Sequence, residues 1–166
     1  IKIAQSLDCG LIVILPSMGK YEAIKKLLKE KINPVLIKEG FYLCWETFES
    51  RRRIFGGIES MFNFCKNTCI QRICYDFSHI HKEQKEILRD IKEDINIIKI
   101  FHISNRIKNS IKQHYPKEEM ALDFDKIFSF LKQKGFNGHL VLEYLPQFHS
   151  QLLSDALNLK NTYEHV

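Results

Sequence analysis

Five short runs of branched and aromatic residues, separated by stretches of helical periodicity, limit what this chain can fold into. LIVIL (11–15) is wholly apolar and closed by Pro16; FYLCWE (41–46), RICYD (72–76), INIIKIFH (95–102) and HLVLEY (139–144) follow it. Each reads as a strand. Between them, KYEAIKKLLKEK (20–31) sets Ile24, Leu27 and Leu28 at helical spacing, and IESMFNFCK (58–66) does the same with Ile58, Met61, Phe62 and Cys65. Residues 80–94 predict a third helix, with Ile80, Ile87, Leu88 and Ile91 on its apolar side. Asp123 is placed to cap a fourth, whose stripe is Phe124, Ile127, Phe128 and Leu131 and whose stop is Gly135. SQLLSDALNLK (150–160) predicts the last. Strands alternating with helices imply repeated βα units, a parallel sheet and right-handed crossovers. The fold class is α/β.

Length and composition add limits. A chain of 166 residues, 45% of them hydrophobic, is expected to be one domain over 1–166. No apolar run approaches the roughly 20 residues that span a bilayer, so no membrane helix is expected. The opening IKIAQSLDCG lacks the pattern of a secretory leader. Cys9, Cys44, Cys65, Cys69 and Cys74 are odd in number and contain no CxxC pair, which argues against a disulfide framework or a cysteine zinc finger. They fit a reducing, cytoplasmic compartment, with Cys44 and Cys74 packing as small hydrophobes. The formal charge of +5 is spread over helices where Lys and Glu alternate, which reads as solvated surface and disfavours nucleic acid as a partner. Arg51-Arg52-Arg53 is the local exception, placed in a βα loop where it can hold a phosphate.

The chemistry gathers at the strand ends. FYLCW ends in Glu46, RICY in Asp76 with His79 three residues on, IIKIF in His102, and HLVL in Glu143. In parallel βα folds that edge is where ligands bind, because loops and helix N-termini converge there. Two Glu, one Asp and one His suit one divalent ion of the Mn, Mg, Fe, Co or Zn group. A polar loop of about 20 residues, 103–122, is long enough to expect a functional role.

The runs YLCWETF, ICYDFSHI, IKIFHISN, then QHYP and LDF, and finally GFNGHLVLEY resemble the xylose-isomerase-like TIM-barrel superfamily. It includes sugar and sugar-phosphate isomerases and epimerases, and DNA-repair endonucleases of the endonuclease IV type. The resemblance covers about residues 9 to 160 and corresponds to strands four to eight of a (β/α)8 barrel. It implies that Glu46, Asp76, His102 and Glu143 are metal ligands. His79 matches a histidine that contacts substrate oxygens in the epimerases or an additional zinc in the endonucleases. Arg106 lies near the position of a substrate-binding arginine, and His114 matches a histidine in the loop after the seventh strand.

The departures bear on which branch applies. The endonucleases carry a metal-binding His where this chain has Leu15-Pro16-Ser17, and an acidic residue where it has Lys112. Their glycine-rich turn is replaced by KEEM (117–120). A three-zinc nuclease acting on abasic DNA is therefore disfavoured. What the resemblance implies is a mononuclear isomerase or epimerase using Mn, Mg, Co or Zn on a small sugar or sugar phosphate. Glu46 and Glu143 would be its acid/base pair across an ene-diolate, with His79, Arg106 and His114 binding substrate. A non-catalytic barrel that binds a small ligand is the alternative from another class.

A full barrel of this type needs about 250 residues. Together with Ile1 at the start, the five strands imply that three strands are absent from the sequence. LIVIL and HLVLE are then expected to be the two edges of the sheet, open to a partner half-barrel or a second copy.

Overall fold

The computed structural model describes residues 2–18, 20–49, 53–116 and 121–165. A short helix α1 (Lys2–Ser6) precedes β1 (Leu11–Ile14). The order then runs α2 (Tyr21–Leu27), a π-helical turn (Leu28–Ile32), α3 (Asn33–Glu39), β2 (Tyr42–Glu46), α4 (Ile58–Lys66) and β3 (Gln71–Asp76). After these come α5 (Gln84–Asp94), β4 (Ile98–Ile103), α6 (Phe124–Gln133), β5 (His139–Leu142) and α7 (Leu152–His165). The strands form one sheet in the order β1-β2-β3-β4-β5, with the β1–β2, β2–β3 and β4–β5 ladders parallel. β1 and β5 are its edges, as the sequence predicts.

Two compact units make up the chain. The first holds Ile1–Tyr75 with Ile97–Lys99. Its core gathers Leu36, Leu43, Trp45, Met61, Phe62 and Ile73. Trp45 packs edge-on against Phe55 at 5.0 Å between ring centroids, and its indole N–H donates to Gln71 Oε1 at 2.6 Å. Gln71, itself buried, passes the network on by donating to Asn33 Oδ1 at 2.8 Å. A buried amide with both ends bonded fixes this core without a desolvation penalty. Cys44, Cys65 and Cys74 are fully buried among these residues, and burial pushes the Cys44 thiol up to about 12. They pack as small apolar groups.

The second unit holds Asp76–Asn96 with Ile100–Val166. Phe77 stacks on Phe101 at 5.2 Å and meets Phe124 edge-on at 5.5 Å. The predicted stripe Phe124, Ile127, Phe128 and Leu131 is buried in full. Asp123 caps α6 by accepting from the Lys126 backbone N–H at 3.2 Å, and Gly135 takes the left-handed conformation (φ +65°) that stops it.

Element boundaries differ from the sequence expectation where capping or helix chemistry decides. Helix α5 begins at Gln84 and not at residue 80, because Glu83 and Glu86 form a reciprocal capping box. Ile80 is buried all the same, in the loop before the helix. The helix expected to end at residue 31 continues through the π turn to Glu39, with Pro34 in the first turn of α3. Ile95–Ile97 form a 3-10 turn ahead of β4, and Pro146–Gln151 another ahead of α7.

Candidate metal centre

The second unit brings four polar side chains around one carboxylate. Asp76 ends β3 with no solvent exposure. Its Oδ1 accepts from the Ser78 backbone N–H at 2.7 Å and from the Ser78 hydroxyl at 2.8 Å. That turn directs Oδ2 toward the imidazoles. His79 Nδ1 lies 3.6 Å from it, His102 Nδ1 3.7 Å and His114 Nδ1 4.0 Å. Burial alone raises a carboxyl pKa, but the nearby His102 imidazole, the His79 charge and the Ser78 hydrogen bond together hold Asp76 below the usual aspartate value.

Glu143 follows directly after β5, with its backbone N–H on the Ile103 carbonyl at 3.3 Å. Its Oε2 meets His102 Nδ1 at 2.6 Å. This contact with His102, the largest influence on the group, lowers the Glu143 pKa against the opposing effect of burial. Charge-assisted contacts of this length are strong. The carboxylate is 44% exposed while Asp76 is fully buried, so Glu143 is the member that faces solvent.

His79 and His114 flank the same aspartate. Their Nε2 atoms are 3.2 Å apart with the rings perpendicular, and Ser104 Oγ lies 3.4 Å from His114 Nδ1. His114 is carried by the long loop in a left-handed backbone conformation, φ +60°. The loop is organised by Asn105. Its backbone exchanges two hydrogen bonds with Tyr115, its Oδ1 accepts from the Leu122 N–H, and its Nδ2 donates to the Leu122 carbonyl. The Leu145 N–H donates to the His114 carbonyl at 2.8 Å, tying the loop to the segment that carries Glu143.

Two groups of side chains in this unit therefore offer donor atoms within 4.8 Å of one another: Asp76, His102 and Glu143, and Asp76, His79 and His114. Mixed carboxylate and imidazole donors fit a divalent ion, with Mg and Mn favoured by the first group's oxygens. Glu46 ends β2 in the first unit and is buried. Arg106 is buried with its guanidinium on backbone carbonyls, donating to Ile80 O at 2.9 Å and Lys82 O at 2.7 Å. Of the arginine triplet, Arg53 donates to Pro16 O at 2.7 Å and covers the Phe48 ring, while Arg51 and Arg52 lie outside the described residues. Residues 117–120 lie outside them too. Leu15 is half exposed just past β1. Ser78 and Ser104 were not singled out by the sequence; the Asp-Phe-Ser spacing, which permits a side-chain turn, is the signal that points to Ser78.

Comparison with known proteins bears on the family and the fold. The family described as xylose isomerase-like TIM barrel matches residues 1–158. The uncharacterized protein MJ1188 of Methanocaldococcus jannaschii is 29% identical over 156 residues. That alignment covers 86% of this chain and 55% of the relative, so the chain spans just over half of the relative's length. Among solved structures, a D-tagatose 3-epimerase-like protein superposes with a TM-score of 0.72 at 15% identity, covering 98% of this chain and 66% of that one. The IolI protein with a bound zinc atom gives 0.71 at 20%, covering 97% and 64%. AP endonuclease, family 2, from Brucella melitensis gives 0.67 at 17%, covering 88% and 59%. At these identities the structures speak for the fold alone. Among the described residues no helix is long and apolar enough to cross a membrane. With the strand order, the acidic and imidazole strand ends and a family match over nearly the whole sequence, the chain belongs to the xylose isomerase-like TIM barrel family.

Proposed function

We propose that this chain carries the metal-binding and acid/base residues of a sugar or sugar-phosphate isomerase or epimerase. The observation that supports the reading most is the convergence of Asp76 Oδ2, His102 Nδ1 and Glu143 Oε2 at the strand ends. Those three hold the ion, Mn, Mg, Co or Zn, and the family resemblance adds Glu46 as a further ligand. When bound, such an ion polarises a ketose carbonyl as a Lewis acid. Glu143 is half exposed and kept anionic by His102, so it can take the proton from the carbon beside that carbonyl. Glu46 is the residue that the resemblance assigns to return a proton on the other face. His79 and His114 offer ring N–H groups to substrate hydroxyls and to developing negative charge. Arg106, engaged by two backbone carbonyls, holds the segment that follows His79.

A metal titration tests the site. One Mn or Zn ion per chain is expected, and His102→Ala is expected to lose more affinity than His114→Ala. Equal losses place the loop histidine in the same site and overturn the mononuclear reading. Glu143→Gln is expected to abolish turnover of a responsive ketose while circular dichroism stays unchanged; near wild-type turnover refutes its acid/base role.

A second reading, a metal-dependent phosphodiesterase on abasic DNA, is favoured by one observation, the second donor group of Asp76, His79 and His114. Three bound ions per chain and incision of an abasic oligonucleotide would support it. Leu15, with no donor atom, and Lys112, with its positive charge, weigh against it.

A further inference from the structure

The first unit contains a cavity of about 770 Å³, on the side of the helices α2, α3 and α4. It is within the size range of small-molecule sites. Its floor is made of Leu28 and the rings of Phe55 and Phe64, 5.3 Å apart. Tyr21 stands over that floor, edge-on to Phe55 at 6.0 Å and to Phe64 at 6.1 Å. One wall carries Lys25 and Lys29, one helical turn apart; the other carries the amides of Asn63 and Asn67 with the hydroxyls of Ser60 and Thr68. Among the described residues no carboxylate lines it. Lys25 Nζ lies 5.7 Å from the centre of the Tyr21 ring, and among the described residues neither lysine forms an ion pair.

Two further features mark this as a formed site. The turn Leu28–Ile32 that supplies Leu28 and Lys29 is π-helical, a geometry that is rare and that concentrates at functional positions. Asn33, also on the lining, has its Oδ1 fixed by the buried Gln71, which is held in turn by Trp45. The wall is thus anchored to the core.

We propose that this cavity binds a mononucleotide-like ligand, a planar heteroaromatic ring bearing a phosphate. Two ammonium groups on a lining that carries no carboxylate suit one phosphate dianion. Tyr21, half-buried on the lining, offers its ring for stacking. The amides of Asn63 and Asn67 supply both donors and acceptors for the edge of a heterocycle. Its lining shares no residue with the strand-end metal centre.

Trp45, the chain's single tryptophan, packs against Phe55 at 5.0 Å and Phe64 at 6.4 Å, so its emission reports on the cavity floor. Titration of the chain with AMP, followed by Trp45 fluorescence and by calorimetry, is expected to saturate at one site. Lys25→Ala with Lys29→Ala, both exposed positions, is expected to weaken binding about tenfold or more, the scale of one lost charge-assisted contact. Inorganic phosphate and adenosine alone are each expected to bind at least about tenfold more weakly than AMP. His102→Ala is expected to leave AMP affinity unchanged. An absence of saturable binding in both readouts overturns the proposal. So does undiminished affinity in the lysine variant, or phosphate binding as tightly as AMP.

Discussion

Ser78 is the residue on which the metal centre's geometry turns, though it is not itself a ligand. Its hydroxyl and backbone N–H occupy Asp76 Oδ1 and so aim Oδ2. Ser78→Ala is expected to cost roughly tenfold in Mn or Zn affinity by calorimetry, the usual effect of losing a partner that orients a ligand. Asp123 tests a different kind of placement. Asp123→Ala is expected to destabilise by about 1 kcal/mol in urea unfolding, the common value of an N-cap. The side chain and backbone N–H of Lys126 lower its pKa. Its contribution is therefore fully present above the ordinary aspartate value and is lost as pH falls through the lowered one. A wild-type and alanine pair should differ at neutral pH and converge in strong acid. The cap was legible in the sequence because Asp123 directly precedes an apolar stripe. The role of Ser78 was not, because it depends on a side-chain turn beside a buried carboxylate. Asp76, His102 and Glu143 were readable as strand ends; their mutual distances were not.

At the scale of elements, the long loop shows most plainly what pattern reading misses. Residues 103–122 carry little periodicity, and their order comes from the buried Asn105, whose side chain bonds the backbone of Leu122 in both directions. Asn105→Ala is expected to destabilise by about 2 kcal/mol, since it leaves a buried N–H and a buried carbonyl without that partner. Hydrogen exchange should show faster opening across 105–122 with little change in α5. His114, in the same loop, sits at φ +60°. His114→Gly is therefore expected to be about 0.5–1 kcal/mol more stable than His114→Ala, measured by urea unfolding, because glycine tolerates that backbone. The helices were easier to read. Stripes such as Phe124, Ile127, Phe128 and Leu131 follow from 3.6-residue periodicity alone. The starts shifted where local chemistry overrode that period, as with the Glu83–Glu86 box and the π turn at Leu28–Ile32.

For the whole molecule, the sheet edges set the expected behaviour in solution. β1 leaves Val13 exposed and β5 leaves Val141 exposed, on strands whose sequences are apolar on both faces. Such edges invite pairing with another chain. Residues 1–166 alone are expected to self-associate in light scattering; a dilution-resistant monomer with cooperative unfolding would refute this. The fold class was legible because alternating strand and helix periods allow few topologies. The strand order has one more consequence, for the time course of synthesis. Each of β2 to β5 pairs with the strand made just before it, as Tyr42 does with Leu11 and His139 with Ile100. A nascent chain can therefore lay each of these later strands onto an edge already in place. The sheet grows in one direction, and at each stage of translation the most recently added strand is the part that most needs protection.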